Sequence, residues 1–180
     1  MIPIFETERL RLRELKKEDA QGIFACFSND KVIQYYGQEK LETLQHAEQF
    51  VDVFSNNFIE KRGIRWGIER KEEPGIIGTI GFHTWSPKHK RAEIGYEIHP
   101  DYWGRGYMSE AAIRVLSYGF DEMDLTRVGA IVFLENEASS HLLMKTGFQQ
   151  EGILRKYMFQ NGIAHDTYVY SLLKDHFLKK

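Results

Sequence analysis

The chain has 180 residues, of which 42% are hydrophobic and 28% are charged, and its formal net charge is −2. This balance predicts a single globular domain over residues 1–180, with no excess of positive charge for direct nucleic-acid binding. No apolar run approaches the length of a membrane span, and the N-terminus lacks the apolar core of a signal peptide. We therefore expect a cytoplasmic protein without membrane contact.

The reactive side chains give no sign of a disulfide or a metal centre. Cys26 is the single cysteine, so it has no internal partner. It lies in an apolar helical pattern with Ile23, Phe24 and Phe27, which indicates a core cysteine. The seven histidines show no metal-ligand spacing, and we predict no metal site.

Hydrophobic periodicity divides the first half of the chain into alternating strand and helix patterns. Residues 9–13 alternate strictly, which predicts a strand with its arginines on one face. The predicted elements are this strand, a helix over 17–27, a helix that Thr43 caps and Gly63 ends, and strands over 64–70, 76–85 and 91–98. A turn over 72–75 separates the strand over 64–70 from the strand over 76–85.

The second half alternates in the same way. Its predicted elements are a helix over 109–122, a strand over 127–134, a short helix over 139–145 that Gly147 ends, and strands over 148–159 and 163–173. The last two strands meet at Asn161-Gly162, which is a hairpin signal. The order of elements predicts an α/β (α+β) domain with a mixed sheet.

The segment Trp103-Gly104-Arg105-Gly106-Tyr107-Met108-Ser109 joins the strand over 91–98 to the next helix. Its glycines allow close backbone approach, and a helix N-terminus offers free N–H groups to a phosphate. A Rossmann motif would need a third glycine where Ser109 stands, and the lysine of a P-loop is missing. A glycine-rich turn without a ligand fits this segment alone equally well.

A second group of polar residues follows the next buried strand, at Asn136, Ser139 and Lys145, before Gly147-Phe148. Asn136 to Ser139 also fits simple helix capping. However, α/β folds bind ligands where neighbouring strands end, and both groups stand at such ends.

Together these segments resemble the Gcn5-related N-acetyltransferase (GNAT) superfamily, whose acetyl-CoA motif is Q/R-x-x-G-x-G/A. Gly106 matches the middle glycine of that motif, whereas Trp103 and Met108 depart from it at the two ends. The Trp-Gly-x-Gly form is similar to the RimJ/RimL branch, which acetylates protein N-termini. Residues 7–13 resemble the opening strand of that branch, and residues 152–173 resemble its closing hairpin.

The resemblance implies the GNAT fold, a mixed and mostly antiparallel sheet of about seven strands flanked by about four helices. It implies transfer of the acetyl group of acetyl-CoA to a primary amine. The leading acceptor is a protein N-terminal α-amine, as on a ribosomal protein. One alternative acceptor is a small amine such as a polyamine or an antibiotic. The other alternative is that the protein is a CoA-binding module without catalysis. Because the branch often dimerises, a homodimer is one expected assembly.

The resemblance also implies where the cofactor binds. The pyrophosphate would accept hydrogen bonds from the amides from Gly104 to Ser109. The pantetheine arm would pair with main-chain groups of Glu97, Ile98 and His99. One N–H of these residues would polarise the thioester carbonyl. The implied cofactor-binding residues are Ile98, His99, Trp103, Gly104, Arg105, Gly106, Tyr107, Met108, Ser109, Asn136, Ser139 and Lys145.

The attacking amine must lose a proton, and a carboxylate can accept it. Glu93 and Glu97 share a strand face by alternation, so one could bind the ammonium while the other deprotonates it; Asp101 is a weaker candidate. All three also fit solvent-facing carboxylates.

The departing thiolate needs a proton or a hydrogen bond. The position of the usual GNAT tyrosine is Leu143, so Ser139 is the candidate, with helix capping as its alternative. By helical spacing His141 is expected to point elsewhere. Tyr35 and Tyr36 are candidates for an acceptor groove, whereas Trp66 and Trp85 are expected to pack in the core or on the sheet.

Overall fold

The protein was analysed as a computed structural model that describes residues 1–177, and eight of its strands form one sheet. The strands are β1 (Phe5–Glu6), β2 (Leu10–Glu14), β3 (Ile64–Arg70), β4 (Glu73–Ser86), β5 (Arg91–Ile98), β6 (Arg127–Phe133), β7 (Gln149–Gln160) and β8 (Ile163–Leu173). The helices are α1 (Ala20–Phe27), α2 (Asp30–Ile33), α3 (Leu44–Ile59), α4 (Tyr107–Asp121), α5 (Glu137–Thr146) and α6 (Lys174–Phe177).

The strand order is β1-β2-β3-β4-β5-β6-β8-β7, and every neighbouring pair except β5 and β6 is antiparallel. The parallel pair is joined through α4, which is the crossover that parallel strands require. The expected mixed, mostly antiparallel sheet is therefore confirmed. The two-residue β1 adds a strand to the seven expected, and the short α2 and α6 add to the four helices.

Several element boundaries differ from the sequence pattern; the turn predicted over 72–75, for example, is shorter because β4 already begins at Glu73. At two other boundaries a single residue adopts a left-handed backbone. Gly106 has φ of 80° and caps α4, so that helix begins at Tyr107 rather than at Ser109. The helix after Thr43 ends at Ile59, with Lys61 at φ of 53°, and not at Gly63 as predicted. Thr43 does cap this helix, accepting a hydrogen bond from the His46 amide at 3.3 Å.

Two clusters of buried side chains hold the layers together. The larger cluster packs α4 against the sheet and contains Trp66, which is fully buried and donates through Nε1 to the Pro3 carbonyl at 2.8 Å. The smaller cluster packs α1 and α3 and contains Cys26, so the expectation of a core cysteine is confirmed. None of the helices within residues 1–177 is long and apolar enough to cross a membrane.

Helix α4 offers a matched pair of apolar positions, because Leu116 is fully buried whereas Ile113 is 54% exposed. We expect Leu116→Ala to lower the free energy of unfolding by about 2–5 kcal/mol, through lost burial and the cavity left behind. Ile113→Ala should change it by less than about 0.5 kcal/mol. Denaturant unfolding of both variants measures this, and equal losses would show that the sheet-facing side of α4 is wrongly assigned.

Candidate functional site

A cleft opens where the two parallel strands separate. The ladder between β5 and β6 has its last pair at Glu93 and Gly129. Beyond this pair the main-chain edge of Ile94–Ile98 faces residues 130–132 of β6 across a cavity of about 940 Å³. An unpaired strand edge presents a row of N–H and C=O groups, which an extended ligand can use.

One end of the cavity is formed by the glycine turn and the start of α4. Gly104 and Gly106 both have positive φ, at 71° and 80°, a conformation that glycine adopts without strain. The amides of residues 107–109 belong to the first turn of α4, where N–H groups lack intrahelical acceptors. Together with the helix dipole, these amides form a site suited to an anion.

The glycine turn is held from outside by Arg9, a residue that the sequence did not single out. Its Nη1 donates to the Arg105 carbonyl at 2.9 Å, and its Nε donates to the Glu110 carboxylate at 2.8 Å. The guanidinium also lies 4.6 Å from the centre of the Tyr107 ring. Arg105, which we predicted to contact a phosphate, has an exposed side chain 5.9 Å from the centre of the Tyr102 ring, and it is not among the residues that line the cavity.

The main chain that follows β5 is less free than expected. The His99 amide donates to the Ile77 carbonyl at 2.8 Å, so it is not available as an oxyanion donor. Trp103 donates through Nε1 to the Ile98 carbonyl at 2.8 Å. The predicted use of His99 for the arm is therefore wrong for its N–H, and the available edge lies within β5.

Helix α5 begins at the opposite wall of the cavity, and its cap is Asn136. The Asn136 side-chain oxygen accepts a hydrogen bond from the Ser139 amide at 3.2 Å. The capping role considered for Ser139 is therefore wrong, and its hydroxyl instead lies 2.7 Å from Tyr96 Oη. His141 also lines the cavity, contrary to the direction expected from helical spacing.

Glu97 is locked in a buried cluster rather than free to act as a base. Thr79 and Arg65 hydrogen bond to its carboxylate, and Tyr36 donates to it at 2.9 Å. Arg65 also donates to the Gly95 carbonyl at 2.9 Å. Burial raises the pKa of Glu97, while the Arg65 charge and the hydrogen bonds oppose that rise. As a buried ion pair, Arg65 and Glu97 offset each other's charge.

Glu93 lies on the same strand face as Glu97 but in a different environment. Its side chain is 22% exposed and lines the cavity, and burial raises its pKa, with Arg91 and Arg127 opposing. His83 Nδ1 lies 3.9 Å from its carboxylate. Desolvation and the Arg65 charge lower the pKa of His83 to about 4, so the imidazole is neutral at pH 7. Asp101 is exposed and lies outside the cavity.

The far end of the cavity is aromatic. Tyr35 and Tyr36 line it from the loop after α2, and Tyr157 and Met158 line it from β7. The buried Gln160 side chain links these two parts: it accepts from the Gly37 amide at 3.0 Å and donates to the Ile33 carbonyl at 2.9 Å. Sequence periodicity could not identify Gln160, because its partners are more than a hundred residues away.

The remaining predicted residues divide by location. Trp66 is a core residue as expected, and the half-buried Trp85 packs against the same core. Met108 is 8% exposed and belongs to the core cluster beneath the glycine turn. The predicted cofactor residues that line the cavity are Ile98, Trp103, Gly104, Gly106, Tyr107, Met108, Ser109, Asn136, Ser139 and Lys145.

Residues 1–177 contain no group of three or more His, Cys, Asp or Glu side chains that could hold a metal ion.

Comparison with known proteins matches this architecture. The family described as "Acetyltransferase (GNAT) domain" matches residues 9–149. The chain is 55% identical to the uncharacterized N-acetyltransferase YoaA of Bacillus subtilis, over 97% of this chain and 98% of YoaA. It is 30% identical to the spermidine N(1)-acetyltransferase of Escherichia coli, over 85% and 80% of the two chains. The solved structure of RimL, a ribosomal L7/L12 alpha-N-protein acetyltransferase in complex with coenzyme A, shares the fold with a TM-score of 0.84 at 19% identity, over 95% and 98%.

The buried pair between Arg65 and Glu97 generates a stability prediction. Glu97→Gln removes the negative charge and leaves the Arg65 guanidinium buried without compensation, which should lower the free energy of unfolding by about 3–5 kcal/mol. Glu48→Gln, the same change at an exposed position of α3, should leave stability unchanged. Chemical denaturation measures the stability of both variants, and a Glu97→Gln protein as stable as the parent would contradict a structural role for the buried Arg65–Glu97 pair.

Proposed function

The chain belongs to the GNAT family of acetyl-CoA-dependent N-acetyltransferases, and we propose that its acceptor is the α-amine of a protein N-terminus. The observation that carries this proposal is the charge of the part of the cavity beside Glu93, which we take as the acceptor end. Within residues 1–177, Glu93 forms no direct ion pair with a lysine or arginine, since Arg65 pairs with Glu97 and Arg127 pairs with Glu151, and His83 is neutral. A peptide N-terminus brings a single ammonium group, which one carboxylate can receive.

The cofactor would enter from the glycine turn. Its pyrophosphate would accept hydrogen bonds from the amides of residues 107–109, in the turn that Arg9 fixes from outside. The pantetheine arm would pair with the free edge of β5 and contact the side-chain amide nitrogen of Asn136. The thioester would then lie in the cavity between β5 and β6, which Tyr35 and Tyr36 also line.

Glu93 is the proposed base. The ammonium of the acceptor must lose a proton before its nitrogen can attack the thioester carbon, and Glu93 would take it directly or through a water molecule. Burial supports this role, since a raised pKa makes a carboxylate a stronger base. Glu97 would act by holding Arg65 and Tyr36 in place.

A small polyamine remains the second candidate acceptor, since a relative at 30% identity is a spermidine N(1)-acetyltransferase. A polyamine carries several ammonium groups, and each needs a carboxylate or water in the bound state. Glu135 and Glu137 also line the cavity, but both are exposed and flank Asn136 at the cofactor wall. The acceptor end therefore favours the singly charged α-amine. A ribosomal-protein acceptor would place the reaction in the cytoplasm.

The acceptor proposal is tested by turnover of acetyl-CoA with N-terminal peptides, spermidine, an aminoglycoside and a lysine-containing peptide with a blocked N-terminus. We expect kcat/KM for the best free-N-terminus peptide to exceed that for spermidine by about tenfold or more, the equivalent of about 1.4 kcal/mol. The blocked peptide serves as the control for side-chain acetylation. A preference for spermidine or for the blocked peptide would contradict the proposal.

The base proposal is tested with Glu93→Gln, measured with whichever acceptor the panel ranks first. Loss of the base should lower kcat by about 10²- to 10⁴-fold, with unchanged unfolding. In the parent protein kcat/KM should fall as the pH drops, because protonated Glu93 cannot accept a proton. The midpoint of this fall should lie above the ordinary glutamate pKa of about 4.3, since burial raises the pKa of Glu93. Glu48→Gln is the matched control, and a Glu93→Gln enzyme within about threefold of it would exclude Glu93 as the base.

A further inference from the structure

Two hydroxyl groups meet at the wall of the cavity, one from the sheet and one from a helix. Tyr96 projects from the part of β5 that has lost its β6 partner, and Ser139 lies in the first turn of α5. Their oxygens are 2.7 Å apart, and both residues line the cavity. The contact therefore joins the two walls between which an acetyl-CoA arm would run.

The Ser139 hydroxyl is not needed to hold its own helix. Asn136 already caps α5 by accepting from the Ser139 amide, so the hydroxyl is left for Tyr96 and for the cavity. Leu143, which stands where many GNAT enzymes have a tyrosine, is 1% exposed and carries no proton to give. Tyr96 and Ser139 therefore form a pair of hydroxyl groups on this wall of the cavity that could hydrogen bond to a departing sulfur.

Either oxygen can donate in this hydrogen bond, and the surroundings of the two oxygens favour Tyr96 as the donor. Tyr96 packs against the main hydrophobic cluster, and burial raises the pKa of its phenol, so the phenol stays protonated. A protonated Tyr96 can donate to Ser139 Oγ. Ser139 is then free to turn its own proton toward the cavity, where a hydrogen bond to an anion is stronger than one to a neutral group.

We propose that Tyr96 is a positioning residue that donates a hydrogen bond to Ser139 and thereby aims the Ser139 proton at the sulfur of the departing thiolate. The acceptor nitrogen forms the new C–N bond, the C–S bond breaks and the electron pair stays on sulfur, while the second proton that the nitrogen loses on becoming an amide passes to solvent. Ser139 O–H donates to that thiolate, and no proton leaves Tyr96. The thiolate then leaves stabilised by this hydrogen bond and acquires its proton later from solvent. This role rests on the proposed cofactor placement but not on the identity of the acceptor.

The test compares Tyr96→Phe, Ser139→Ala and the double variant in single-turnover and steady-state assays with acetyl-CoA and the best acceptor. Each single variant should lower the transfer rate about 10- to 100-fold, as expected for a lost hydrogen bond to a charged group. KM for acetyl-CoA should stay within about twofold, because the bond strengthens only as charge develops on sulfur. The double variant should be no slower than the slower single one, since the two hydroxyls act in series.

Two further variants separate this role from simple packing. Ser139→Thr keeps a hydroxyl and should recover a large part of the rate lost in Ser139→Ala. Tyr168→Phe removes a phenol from β8 that does not line the cavity and should leave the rate unchanged. Additive losses, or a Tyr96→Phe enzyme as fast as the parent, would overturn the proposal. An unchanged rate in Ser139→Ala would overturn the cofactor placement as well, whereas a different preferred acceptor would affect neither result.

Discussion

The two parallel strands at the centre of the sheet pair through three residue pairs and then separate, and the site depends on this separation. If β5 and β6 stayed paired, the main-chain groups of Ile94–Ile98 would be consumed by the ladder and the cavity would close. Gly129 stands at the last pair, and the Glu93 side chain lies 3.4 Å from where a Cβ of residue 129 would be. The separation therefore exposes a strand edge and places a carboxylate beside it.

Charge balance in the cleft depends on which groups are buried together. The Glu97 and Arg65 side chains are 2% and 8% exposed, and each is satisfied by the other and by Thr79 or Tyr36. A buried pair with this geometry orders its surroundings while contributing no net charge. Glu93, four residues earlier on the same strand face, is partly exposed and lines the cavity. Two residues that look equivalent in the sequence thus have different surroundings.

Much of the architecture could be read from local patterns. The bounds of β3, β5 and β8 follow from apolar alternation and turn residues, and the cap at Thr43 follows from side-chain chemistry. The glycine turn alone also fits a loop without a ligand, and it became identifiable only together with Asn136 and Ser139 after the next strand. The two-residue β1 lay beyond such reasoning, since its pairing with β2 comes from tertiary contact rather than from periodicity.

Local sequence patterns were enough to identify most of the elements, the mixed sheet and the segments that line the cavity, because these depend on side-chain period and backbone freedom over a few residues. The three-dimensional packing set which polar groups already have partners. It paired Glu97 with Arg65, occupied the His99 amide, brought Tyr96 to Ser139 and set Arg9 behind the glycine turn. These partners lie far apart in the chain, and a hydrogen bond or an ion pair between distant residues leaves no local pattern to read.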